Sequence, residues 1–199
     1  MVKKGKIGVI TLPLTNYNYG GVLQAYALHY YLENIGYKVV HLNRQYNTST
    51  QILIKTKIAR LLNYKLSKNE NLNNSHFVKF IDSKLNLSKP FYNKKSIESF
   101  IDSNNIETLI TGSDQVWRQD YAFNVYSDLY LDFNLVTKPV KLSYAASFGK
   151  DKLSSSLKKK EIQSFLNKFN AVSVRETAGI EICNTIGVDG VSAHVDPTM

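Results

Sequence analysis

The strongest constraint on this chain is a series of short apolar runs, each of which stops on small or polar residues. KIGVITL (6–12) is the first, a continuous apolar run of strand length, as expected for a strand covered on both faces of a parallel sheet. GVLQAYALHYYLENIG (21–36) then follows a helical period, with Leu23, Ala27, Tyr30 and Tyr31 on one side and Gly36 as its C-terminal stop. YKVVHLN (37–43) returns to a strand, which completes one βαβ unit. Strand-like runs recur at IETLITG (106–112), VKLSYAASFG (140–149), NAVSVRE (170–176) and SAHVDPT (192–198), with helical segments at 154–169 and 177–186. This alternation predicts an α/β fold with an open, doubly wound, mostly parallel sheet. The Asn- and Lys-rich stretch 44–105 has helical patches around 52–64, 76–85 and 96–103, and reads as a helical insertion or cap on one domain spanning 1–199.

Length and charge narrow the function classes. A chain of 199 residues can bury one good-sized core, and 43% hydrophobic with 21% charged residues is ordinary globular composition. The apolar run near the start is short and lacks a small-residue cleavage site, so it reads as a strand, not a signal peptide. No run approaches the length of a transmembrane span, and the single Cys183 has no partner for an internal disulfide. A cytoplasmic protein is the expectation. The net charge of +9 is concentrated early: residues 1–70 carry ten Lys/Arg against two Glu, a net of +8. Its densest part is 51–68, where Ile54, Ile58, Leu61 and Leu62 share a helical face flanked by Lys55, Lys57, Arg60, Lys65 and Lys68. That pattern suits a core-facing helix with a solvated basic back, and equally a peripheral contact with an anionic membrane or a polyanionic substrate. Nucleic acid is not expected, because no zinc-finger spacing, RNP-like strand or base-reading helix accompanies the charge.

In doubly wound sheets ligands bind beyond the carboxyl ends of the strands. Here those ends read PLTNYNYGG (13–21), GSDQVWR (112–118), ASFG (146–149), RE (175–176) and DPT (196–198). Each is rich in turn formers and helix caps, which explains any one of them; together on one edge they read as the rim of a site. Gly20 and Gly21 precede a helix whose free N–H groups suit an anion, while neither G-x-G-x-x-G nor a P-loop is present. Arg175 brings a planar fork that matches carboxylate or phosphate, or pairs with its neighbour Glu176. Asp114 and Asp196 suit caps, general bases or hydroxyl acceptors. His29, His41, His76 and His194 make no metal-ligand spacing with one another or with Cys183, so no metal site is expected. GSDQ is not a G-x-S-x-G nucleophile elbow. Trp117, the chain's only tryptophan, suits packing better than sugar stacking.

Taken in order, KIGVITL…NYGGVLQAYAL, LITGSDQVWR, YLDFN…KLSYAASFG, SVRE and DPT resemble the polysaccharide pyruvyl transferase family. The resemblance implies one Rossmann-like half of a GT-B-like enzyme. Its activity would be transfer of the enolpyruvyl carbons of phosphoenolpyruvate, as a cyclic ketal, onto two hydroxyls of a hexose in a cell-surface polysaccharide or its lipid-linked precursor. It implies phosphoenolpyruvate as donor substrate and no cofactor. The likeness covers the first half of the family pattern, so the C-terminal half reads as missing. With it goes the SFHG-like motif whose histidine the family uses as acid; NSHF (74–77) lies in the wrong region. On this reading Asp114 and Arg175 are the candidate catalytic residues. Asn18, Gly20, Gly21, Gln24, Gly112, Ser113, Gln115, Ser147 and Glu176 are the candidate substrate contacts. The competing readings are a GT-B-like glycosyltransferase using a nucleotide sugar and a non-catalytic module that binds a sugar or an anion.

Overall fold

The computed structural model describes residues 4–14, 18–46, 70–153 and 156–199; the basic stretch 51–68 lies outside them. Six strands form one open, all-parallel sheet in the order β2-β1-β3-β4-β5-β6: β1 (Lys6–Ile10), β2 (Lys38–His41), β3 (Thr108–Asp114), β4 (Val140–Ala146), β5 (Ser173–Val174) and β6 (Ser192–Ala193). Ile7 pairs with Val39 on one side and Thr108 on the other. Helices occupy the connections among the described residues. They are α1 (Tyr19–Asn34) after β1, α2 (Glu70–Lys84) and α3 (Lys94–Ser103) after β2, and the short α4 (Gln119–Ala122) and α5 (Tyr126–Leu129) after β3. The last two are α6 (Ser156–Leu166) after β4 and α7 (Thr177–Thr185) after β5.

Two layers of helix follow from the strand order. The chain steps from β1 to β2 in one direction and from β2 onward in the other, and right-handed crossovers place helices for opposite steps on opposite faces. Leu28 and Leu32 of α1 accordingly pack on Ile7, Val9, Val39 and Ile110. The alternate residues Ile10, Val40 and Leu109 face the other way, into a larger core with Ile97 and Ile101 of α3, Ile162 and Leu166 of α6, and Ile182 of α7. This is a Rossmann-like, doubly wound sheet. Within 44–105, α3 therefore belongs to the main core, while Phe77, Ile81 and Leu85 in and just after α2 pack on Val22 and Ala25 of α1. No helix among the described residues is long and apolar enough to cross a membrane.

Two details depart from the sequence pattern. The side of α1 that carries Leu23, Tyr30 and Tyr31 is exposed, and the buried side instead presents Val22, Gln24, Ala25, Leu28, His29 and Leu32. Apolar side chains ring this helix, so hydropathy does not choose a face; Gln24 enters the interior where Thr11 gives it a partner, and His29 is buried with its Nε2 3.3 Å from the half-exposed Glu33 of the same helix. The strands expected at 170–176 and 192–198 shrink to two residues each. Between β4 and β5 the hydroxyls take over the ladder: Ser173 N–H donates to Ser143 Oγ at 2.8 Å, and Ala145 N–H donates to Ser173 Oγ at 3.0 Å. After β6 the chain turns at Asp196, whose Oδ1 accepts from Thr198 N–H at 3.1 Å and Thr198 Oγ1 at 2.6 Å.

Candidate functional site

The reversal of strand order around β1 makes the loops after β1 and β3 diverge, and a crevice opens at their carboxyl ends. It holds a cleft of about 600 Å³. Its floor is a chain of polar side chains. Gln24 on α1 is buried, with Nε2 donating to Gly21 O at 2.7 Å and to Thr11 Oγ1 at 3.2 Å. Its Oε1 lies 3.2 Å from Ser113 Oγ, which is 2.7 Å from Asp196 Oδ2. A serine has one proton to give, and the shorter contact with the charged acceptor takes it. The bottom of the cleft thus joins α1, β3 and the turn after β6 through Ser113.

Arg175 leaves the end of β5 with its side chain 28% exposed. Nε donates to Glu176 Oε1 at 2.8 Å and Nη1 reaches Asp196 Oδ2 at 3.5 Å, while Nη2 has no partner among the described residues. Burial works against the guanidinium charge, but Glu176, Asp114 and Asp196 outweigh it and hold the pKa above its ordinary value. Burial likewise works against the Asp196 carboxylate, yet the Thr198 and Ser113 hydrogen bonds and Arg175 keep its pKa below the usual range. Asp114, which lines the cleft, sits at φ +83°, where its Oδ1 accepts from Gln115 N–H at 2.7 Å; Oδ2 has no partner among the described residues. At the start of α1, Asn18 caps by accepting from Gly21 N–H at 2.8 Å. Gly20, which lines the cleft, keeps an N–H with no partner among the described residues.

Of the residues singled out from sequence, Asn18, Gly20, Gly21, Gln24, Asp114, Gln115 and Arg175 meet on the cleft. Ser113 lies beneath it, fully buried. Glu176 stands behind Arg175 and braces it. Gly112 serves the sheet: at φ +119°, a Cβ there would lie 2.2 Å from the Tyr144 carbonyl of β4, so the close approach is by a strand. Ser147 is fully buried, with its Oγ accepting from Gly149 N–H at 3.0 Å and its carbonyl from Trp117 N–H at 3.1 Å. Trp117 is a core residue, stacked on Tyr130 at 5.2 Å and in contact with Phe148 and Phe169. Asp196, read from sequence as a cap, base or hydroxyl acceptor but not among the candidate substrate contacts, joins the cleft with Thr198 and Tyr121. DPT was visible as a strand end, whereas nothing in RQDYAFN marks Tyr121. Among the described residues no three His, Cys, Asp or Glu side chains are grouped to hold a metal ion.

The polar crevice lies at the switch point of an all-parallel, doubly wound sheet, the place where folds of this class bind their ligands. The sequence profile of the polysaccharide pyruvyl transferase family matches residues 18–199, and the chain belongs to that family, a family of transferases. A search of curated proteins found no match.

Proposed function

We propose that the chain acts in pyruvyl transfer, in which phosphoenolpyruvate donates its three-carbon unit to two hydroxyls of a hexose in a cell-surface polysaccharide or its precursor, forming a cyclic ketal and releasing phosphate. One observation carries the reading: the cleft brings together Arg175, Gly20 at the start of α1 and Asp114, whose Nη2, N–H and Oδ2 have no partner among the described residues. The donor has two anionic groups, a carboxylate and a phosphate. A guanidinium and a helix N-terminus are the two kinds of group that hold such anions.

In the chemistry, a proton added to the methylene carbon makes C2 electrophilic. A sugar hydroxyl then adds to C2 and loses its proton to a base, and a second hydroxyl displaces phosphate to close the ring. Asp114 is suited to accept the hydroxyl proton, because it lines the cleft and its Oδ2 has no partner among the described residues. Arg175 stabilises the departing phosphate or holds the carboxylate, with its charge secured by Glu176 and Asp196. The methylene proton comes from an acid outside this set. No cofactor enters this scheme, and the cytoplasm, where the donor is made, is the compartment we assign.

The test supplies the chain with phosphoenolpyruvate and a hexose-containing acceptor polysaccharide and follows phosphate release together with acid-labile pyruvate on the acceptor. Acceptor-dependent phosphate release with ketal formation supports the reading. Turnover of a nucleotide sugar instead, with phosphoenolpyruvate untouched, contradicts it.

A further inference from the structure

One part of the cleft wall has no role in holding the donor. Tyr121 on α4 borders the cleft with 45% of its surface exposed, and the guanidinium carbon of Arg118 lies 4.2 Å from its ring centroid. Arg118 covers one face of the ring and is not among the residues that line the cleft, whereas Tyr121 is. The ring is held in place from several directions. Arg118 Nη1 donates to Gln115 Oε1 at 2.9 Å, and its Nε is 3.7 Å from Asp120, which pairs with Lys150 at 3.0 Å. The Tyr121 carbonyl accepts from Tyr46 OH at 2.9 Å.

The same arginine orients Gln115. Because Oε1 accepts from Arg118, the donor end of the amide, Nε2, is the end left for the cleft. Asp114, the preceding residue, also lines the cleft, and its Oδ2 has no partner among the described residues. The loop after β4 accommodates this brace with Gly149: a Cβ there would lie 2.6 Å from Gln115 Oε1 and 2.8 Å from Arg118 Cδ. Arg118 Nε is 3.7 Å from Asp120 and its guanidinium lies over the ring, and among the described residues that line the cleft Arg175 is the one cation.

We propose that Tyr121, Gln115 and Asp114 form a subsite for a neutral pyranose ring, the acceptor hexose, braced from behind by Arg118; this rests on the pyruvyl-transfer reading of the cleft. A fixed aromatic face takes the apolar C–H face of a pyranose. Gln115 Nε2 donates to one ring hydroxyl, and Asp114 Oδ2 accepts from another, the hydroxyl that attacks the donor. Arg118 is a positioning residue in this arrangement, acting through Tyr121 and Gln115.

Saturation-transfer NMR of the full chain with methyl β-D-galactopyranoside and methyl β-D-glucopyranoside tests the subsite. At least one of the two should receive saturation, strongest on the C–H protons of one ring face. Tyr121→Ala should reduce it at least fivefold, and Tyr121→Phe should retain it. Gln115→Glu keeps an acceptor for Arg118 while removing the donor, so it should lose the hexoside with an unchanged melting temperature. Unaltered saturation in Tyr121→Ala or in Gln115→Glu, or no saturation of either hexoside by the unmodified chain, overturns the subsite. A chain that binds hexoside but not phosphoenolpyruvate upholds the subsite and contradicts the donor assignment.

Discussion

Replacing Ser113 with Ala tests whether the cleft is held together from below. The hydroxyl is fully buried, 2.7 Å from the Asp196 carboxylate and 3.2 Å from Gln24 Oε1. A hydrogen bond to a charged group is worth about 1.5–3 kcal/mol, and a buried acceptor that loses its donor costs about 1 kcal/mol or more. Asp196 keeps Thr198 and the longer contact with Arg175, so its carboxylate is not stranded. The expected loss is therefore about 2–3 kcal/mol, close to the hydrogen-bond range itself. Urea unfolding should show a lower midpoint with an unchanged slope. The reasoning also fixes where the loss comes from. Asp196→Asn removes the charge at the other end, so the double variant should fall short of the sum of the singles by at least ~1 kcal/mol. A Ser113→Ala cost below ~0.5 kcal/mol, or strictly additive singles, would refute the link between β3 and the turn after β6.

Gly112→Ala should be far more damaging, by upwards of ~3 kcal/mol, because its φ of +119° disfavours any side chain and the new Cβ meets the Tyr144 carbonyl; an unchanged melting temperature would contradict this. Acid should weaken the packing of α1 on β2. His41 is buried, stacked 5.1 Å from His29, and its Nε2 and His29 Nδ1 have no partner among the described residues. Burial, with His29 beside it, pushes His41 down to about 3, and burial lowers His29 as well, although Glu33 raises it. The unfolded chain therefore takes up protons first, so stability is full above pH 6.5 and declines from there toward pH 3. For His41 the slope approaches slightly over ~1 kcal/mol per pH unit. His41→Leu should flatten that slope in urea titrations at successive pH values, and an unchanged slope would remove this histidine from the account.

The apolar runs made the sheet legible because a strand covered on both faces leaves little freedom in its residues, as in KIGVI and TLIT. Periodicity failed on α1, where Tyr30 and Tyr31 carry aromatic mass but face outward while Gln24 and His29 turn inward. A polar residue's place inside depends on a partner elsewhere in the chain, here Thr11 for Gln24, and no local pattern records that. The site divides in the same way. Arg175, Asp114 and the Asn18–Gly21 turn were readable because strand ends converge on one edge. Tyr121 was not, because its position is set by Arg118 beneath it and by a short helix with no periodic signal. Ser147 illustrates the converse: a small polar residue at a strand end that the loop itself consumes, through Gly149 and Trp117.

The most direct test of the central claim is a calorimetric titration of the chain with phosphoenolpyruvate, repeated on Arg175→Ala. The account predicts binding by the unmodified chain and a loss of about 10- to 150-fold in affinity for the variant, the equivalent of one charged hydrogen-bonded contact of about 1.5–3 kcal/mol. Equal affinity in the two proteins, or no binding of phosphoenolpyruvate where a nucleotide sugar binds, would contradict it.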